Sequence, residues 1–161
     1  MRKIIITISI LIIIIISMLG LIYINYKSDV DAINSLKVNL INIKEPYFTD
    51  TSFKLNFEVE IKNPSDRNII DLSTDFEIYI EDNYVGKGNF SNVNIPNNSN
   101  TSKDVIVTIY YSGLADAVVN ILKNIIKNEE FKLEIKGTIY AKALFGLSIM
   151  EQNYTATKTY Q

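Results

Sequence analysis

Phe53-Lys54-Leu55-Asn56-Phe57-Glu58-Val59-Glu60-Ile61-Lys62 alternates an apolar with a polar residue at every step. Successive side chains of a strand point to opposite faces, so this run presents five apolar side chains to a core and its polar partners to water. Asn63-Pro64-Ser65-Asp66 ends it. Proline brings no N–H to a ladder and steers Asn63 away from helix, while Asn, Ser and Asp side chains bond nearby backbone. A second alternating run follows, with Phe76, Ile78 and Ile80 inward and Glu77, Tyr79 and Glu81 outward. Glu81-Asp82-Asn83-Tyr84 reads as a turn, and Val85-Gly86-Lys87-Gly88 begins the returning strand.

Further strands extend this pattern on both sides. Leu36, Val38 and Leu40 alternate with Lys37 and Asn39 ahead of Pro46, and Ile41 and Ile43 take the opposite phase. Phe90, Val93 and Ile95 lead to Pro96, and Asn97–Ser102 reads as a loop on composition. Val105, Val107 and Ile109 resume the alternation. Phe131, Leu133, Ile135, Gly137, Ile139 and Ala141 face one way against Lys132, Glu134, Lys136, Thr138, Tyr140 and Lys142. A turn around Phe145-Gly146 leads to a last strand through Tyr154. Leu114, Val118, Ile121, Leu122 and Ile125 break the rule and form one helical stripe, with Ser112 as N-cap, Asp116 early, Lys123 and Lys127 late, and Asn128 at the end. That helix is expected to cover an open end of the fold. Short strands separated by regular turns predict a mainly β chain, an antiparallel β-sandwich with one capping α-helix.

An ordered set of these segments resembles the late embryogenesis abundant type 2 family, whose domain is also called the water-stress-and-hypersensitive-response, or WHy, domain. The likeness rests on the strand ending in Asn63-Pro64, the tight turn and the Val-Gly-x-Gly return with Gly86 and Gly88. It continues through Ile95-Pro96-x-x-Ser99-x-Thr101, Val105-Ile106-Val107, a helix and Phe131-Lys132-Leu133-Glu134-Ile135-Lys136-Gly137. It spans most of the chain after about Ser35 and thins after Gly137. The resemblance implies a fibronectin-III-like sandwich with one helix and a non-catalytic role in water-stress protection, with Asn63, Pro64, Gly86, Gly88, Ile95, Pro96 and Gly137 as structural motif residues.

Ile4 to Ile24 carries no charged residue and is dominated by isoleucine. About 20 helical residues reach roughly 30 Å, the thickness of a bilayer core. A secretory signal has an apolar region of about 7–15 residues ending in an Ala-x-Ala-like site, and neither condition is met. Residues 1–26 are therefore expected to be a single transmembrane anchor closed by Tyr23 and Tyr26, residues 27–34 a short polar tether, and residues 35–161 the folded domain. Arg2 and Lys3 favour a cytoplasmic N-terminus, and Lys27, Lys37 and Lys44 beyond the span weaken that bias. The expected topology places the domain outside the cell membrane.

Composition narrows the chemistry. The 161 residues carry a formal net charge of −2, which argues against a nucleic-acid partner. Arginine occurs only as Arg2 and Arg67, so bidentate clamps on phosphate or carboxylate are not expected. There is no cysteine, hence no disulfide or thiol nucleophile, and no histidine, the commonest general base and transition-metal ligand. Asp66, Asp71, Asp75, Glu77, Glu81 and Asp82 lack the spacing of a calcium loop and read as a solvated face. Nothing brings Asp104, Asp116, Glu129 or Glu130 together as an acid–base pair. No enzyme activity, metal or cofactor is expected.

Surface features remain. Asn89, Asn97, Asn100 and Asn153 each open an Asn-x-Ser/Thr sequon, glycosylation acceptors if exposed outside the cell. Tyr79, Tyr110 and Tyr140 alternate with inward residues and are candidates for a partner-docking face, although tyrosine is also simply a good strand residue. Two functions fit these residues. One is a folded, membrane-anchored stress-protection domain acting on lipids or proteins. The other is an envelope interaction module that docks a surface-layer or appendage protein.

Overall fold

The structure, a computed structural model, describes residues 2–128, 130–143 and 146–160; of residues 2, 3 and 124–128 it describes the backbone alone. Helix α1 runs unbroken from Arg2 to Asn34. Strands follow at Lys37–Ile43 (β1), Tyr47–Phe48 (β2), Ser52–Asn63 (β3), Ile69–Ile80 (β4), Asn83–Ile95 (β5) and Ser99–Tyr110 (β6). Helix α2 spans Asp116–Asn128, and β7 (Phe131–Ala143) and β8 (Ser148–Tyr160) complete the chain. All pairings are antiparallel.

Two four-stranded sheets face each other. In the first, β3 pairs along one edge with β6 and along the other with β1 and then β2. The second has the order β5-β4-β7-β8. The alternation expected of Phe53–Ile61 holds, since Phe53, Leu55, Phe57, Val59 and Ile61 are all buried. Phe76, Ile78 and Ile80 of β4 meet them from the opposite sheet, and Phe57 and Phe76 pack edge to face with centroids 6.2 Å apart. The tight turn is a two-residue connection in which Glu81 (φ 49°) and Asp82 (φ 62°) both take the left-handed conformation that matches strand twist.

The structure departs from the expectations at several points. The polar stretch 27–34 is not a loose tether but the continuation of α1, with Ala32 and Ile33 in the core. Adding a turn to an existing helix costs little beyond the residues fixed, and these residues gain burial against the sandwich. A bulge between Leu40 and Asn42 turns Ile43 inward and leaves Ile41 exposed. Asn97–Ser102 is not one loop: only Pro96, Asn97 and Asn98 connect β5 to β6, and Ser99–Ser102 pair with β3. Asn98 takes the turn at φ 48°. The last strand continues past Tyr154 to Tyr160.

Helix α2 crosses from β6 to β7 over the end of the sandwich remote from α1. Leu122 is buried there, with Leu114, Val118 and Ile121 packed beside it. Ser112 is not its cap. It lies in a separate 3-10 turn, Tyr111–Gly113, and the amides of Val118 and Val119 bond the carbonyl of Ala115 instead. The side chains of Ile125, Lys127 and Asn128, and all of Glu129, Leu144 and Phe145, lie outside the described residues.

Candidate functional site

At the α1 end, two polar side chains organise the chain. Asn63 is 1% exposed, and its amide is used on both sides. Its Nδ2 donates to the carbonyls of Arg67 (2.7 Å), Pro96 (3.0 Å) and Ile95 (3.4 Å). Its Oδ1 accepts from the Ser65 amide (3.1 Å) and hydroxyl (2.6 Å). A single buried side chain therefore stitches the β3–β4 connection to the β5–β6 hairpin. A buried amide is tolerated only when so satisfied.

Arg67 reaches from that connection to α1. Its Nη2 donates to Asn25 Oδ1 at 2.8 Å, its Nε donates to Ser28 Oγ at 3.0 Å, and Nε lies 3.7 Å from Asp29 Oδ1. Positions 25, 28 and 29 share one helical face, so one guanidinium fork grips a full turn. On the other flank, Gln152 Nε2 donates to the carbonyls of Asn34 (3.1 Å) and Leu36 (3.2 Å), which serves helix-end acceptors. Tyr26 donates to Met150 Sδ at 3.8 Å. These contacts fix the pose of α1 on the sandwich. The scarcity of arginine argued against clamps; the signal that would have revealed this one is the spacing of Asn25, Ser28 and Asp29 directly after the apolar run.

Mid-sheet, two of the motif glycines make room. A Cβ on Gly88 would lie 2.7 Å from the Phe76 ring. One on Gly137 would lie 2.6 Å from the Asp75 carbonyl oxygen and 2.8 Å from Tyr154 Cζ. The bare backbone of Gly137 lets the Tyr154 ring cross β7 and place its hydroxyl 3.1 Å from Thr74 Oγ1 on β4. Burial pushes the Tyr154 phenol from its ordinary 10.0 up to about 12. A Cβ on Gly86 would meet Ile109 no closer than 3.4 Å.

The tyrosines named from the sequence do not form one face. Tyr79 and Tyr140 lie on the outer side of the second sheet, opposite Glu134 and Ser73 of neighbouring strands, whereas Tyr110 ends β6 in the other sheet. Alternation tells inside from outside but not which sheet a strand joins. Tyr79 is instead part of a local network. Its hydroxyl donates to Glu77 Oε2 at 2.6 Å, its ring meets Tyr84 edge to face, and Lys136 Nζ stands 4.5 Å above it. The Glu77 carboxylate raises the Tyr79 pKa, and Lys136 lowers that of Glu134.

The acidic residues spread along β4 and its turns: Asp71 pairs with Lys142 near one end and Asp82 with Lys132, 2.7 Å, at the other. The Lys132 hydrogen bond lowers the Asp82 pKa, and the same bond raises that of Lys132. Of the sequon asparagines, Asn89 and Asn153 are exposed on β5 and β8, and Asn153 Oδ1 accepts from Thr138. Asn97 is exposed in the hairpin, and Asn100 Nδ2 donates to Glu60 on β3 at 3.0 Å. Among the described residues no three of His, Cys, Asp and Glu gather as a metal site.

No family model matches this sequence, and no curated protein matches it either. Solved structures do. A solution structure of the Arabidopsis thaliana protein AT1g01470 superposes with a TM-score of 0.54 at 15% identity, covering 78% of this chain and 77% of that one. A second, provisionally assigned to the late embryogenesis abundant (LEA) proteins as At2g46140.1, gives 0.52 at 12% identity over 91% of this chain and 82% of its own. The sandwich is LEA-like in fold. It is preceded by a helix long and apolar enough to cross a membrane.

Proposed function

We propose that this protein is a non-enzymatic stress-protection domain of the LEA type 2 (WHy) kind, anchored in the cell membrane with its N-terminus in the cytoplasm and its sandwich outside. The observation that carries the reading is the junction. An LEA-like sandwich takes the end of an apolar helix into its own core, with Ile33 0% exposed and α1 held by Arg67 and Gln152. A helix of 33 residues is about 50 Å long. Roughly 30 Å of it spans the bilayer core, and the remainder holds the domain within a short distance of the lipid. Protection then comes from a fixed folded surface next to the membrane rather than from a water-replacing coil, consistent with a chain that is 47% hydrophobic.

The test is drying. Vesicles loaded with a fluorescent dye and carrying the full chain are dried and rehydrated beside vesicles carrying an unrelated anchored β-sandwich at equal density. Less leakage from the former is expected, together with retained activity of an enzyme dried alongside. Equal leakage and equal enzyme loss overturn the reading. Crosslinking in intact cells supplies the competing outcome: one stoichiometric envelope protein bound to the domain identifies a docking module instead.

A further inference from the structure

We infer that the β7–β8 turn, at Gly146 and Leu147, is a second membrane contact beside the span, made with Ile149 and Ile70. This rests on the reading of α1 as a membrane anchor. Outside α1, Leu147 is the most exposed large apolar side chain among the described residues at 82%; Ile149 is 65% and Ile70 59% exposed. All three lie at one end of the sandwich. Asn25 and Asp29 of α1 line a single cleft with Ile70, Lys142 and Gly146, which brings the turn against the helix.

The depth of the turn follows from the contacts along β8. Gln152 bonds the carbonyls of Asn34 and Leu36, and Met150 meets Tyr26. Moving along β8 toward its start therefore moves down α1 toward its N-terminus. β8 opens at Ser148, and Leu147 stands in the turn before it, beyond Met150 in that direction. Its neighbour Gly146 lines a cleft with Asn25, the residue after the apolar run, whose last side chains, Ile22, Tyr23 and Ile24, are themselves exposed. A turn tip bathed in water is ordinarily polar, and clustered apolar exposure rimmed by polar groups marks an interaction surface.

The occupant of the patch is the bilayer itself, because Ile70 and Gly146 share their cleft with Asn25, where the apolar run of α1 has just ended. Its charges are already matched, Lys142 with Asp71 and Arg67 with Asp29. The contact is thus apolar insertion at the headgroup boundary and needs no anionic lipid. Together with the Arg67 grip, it holds the domain at one tilt.

The chain has no cysteine, so single labels are unambiguous. Full chains bearing Leu147→Cys, Asn97→Cys, Asp82→Cys or Ile14→Cys are labelled with an environment-sensitive fluorophore and reconstituted in phosphatidylcholine vesicles containing a headgroup-level spin-labelled lipid. Asn97 lies at the same end as Leu147, and Asp82 lies at the far end. Blue-shifted, quenched emission is expected at Leu147, with quenching unchanged in high salt, and water-like emission at Asn97 and Asp82. Emission from a lipid-buried label at Ile14 with a water-exposed Leu147 overturns the second contact and leaves the anchor standing. Equal quenching at Leu147 and Asn97 also overturns it, since the turn then has no contact of its own. A water-exposed label at Ile14 removes the anchor reading and this inference with it.

Discussion

At the α1 end of the sandwich, Asn63 and Arg67 bind the β3–β4 connection to a hairpin and to a helix through directed hydrogen bonds, one of the two side chains fully buried. At the opposite end, α2 rests on Leu122 and its partly buried neighbours, while the β4–β5 turn is tied to β7 by exposed contacts, two hydrogen bonds between Glu81 and the Lys132 backbone and the pair of Lys132 and Asp82. The difference teaches where geometry matters. Apolar contact is non-directional and tolerates a range of poses, whereas hydrogen bonds from a buried amide and a guanidinium fork accept few. The end bearing the apolar helix is the one given a defined orientation.

The scale for any comparison is the shared core. Phe57→Ala should cost about 3–5 kcal/mol in chemical denaturation, because it sits between the sheets and serves both ends. Asn63→Ala should cost roughly 3 kcal/mol, since it leaves the Ser65 amide and the Arg67 and Pro96 carbonyls without their partner. Leu122→Ala should cost about 2 kcal/mol, at the low end for a leucine, because a helix at the open end of the sandwich, whose other described apolar side chains are at most partly buried, can settle. A larger loss at Leu122 than at Asn63 would reverse the contrast between the ends.

Tyr154 lies between the two ends and gives a pH-dependent probe. Its folded pKa stands above that of the unfolded chain, so its contribution is complete below pH 10.0 and is lost as the pH rises toward 12. Two units correspond to about 2–3 kcal/mol. Alkaline denaturation should therefore shift to higher pH in Tyr154→Phe, and an unchanged midpoint would show that the phenol is not buried across Gly137.

Arg67→Ala sharpens the contrast differently. Stability should fall by only about 1 kcal/mol. Spin-label distances between α1 and the sandwich should nonetheless broaden, because the remaining grip at Gln152 and Tyr26 is one-sided. Distances as narrow as in the parent chain would place orientation in the burial of Ile33 alone. The smallest effect belongs to Glu58→Gln, next to Phe57 but facing outward, at under about 0.5 kcal/mol. Comparable losses at positions 57 and 58 would overturn the register of β3.

Much of this protein is written locally. The alternation of Phe53–Ile61 and of Phe131–Ala141, the stop at Asn63-Pro64, the apolar run from Ile4 to Ile24 and the stripe of α2 each depend on neighbours within a few residues, which is the range over which side-chain period and turn chemistry act. They determined the sandwich, the capping helix and the apolar helix. Tertiary structure decided what depends on residues far apart in the chain. Lys27–Asn34 is helical because Ile33 finds a core to enter, and β6 begins at Ser99 because β3 offers it an edge. Tyr110 parts from Tyr79 and Tyr140 because strand order assigns it to the other sheet. Arg67, a residue that reads as solvated in the sequence, becomes a joint between helix and domain because folding brings it to Asn25 and Ser28, 42 and 39 residues away. Periodicity sets which side of an element is buried; only packing selects the partner across the gap.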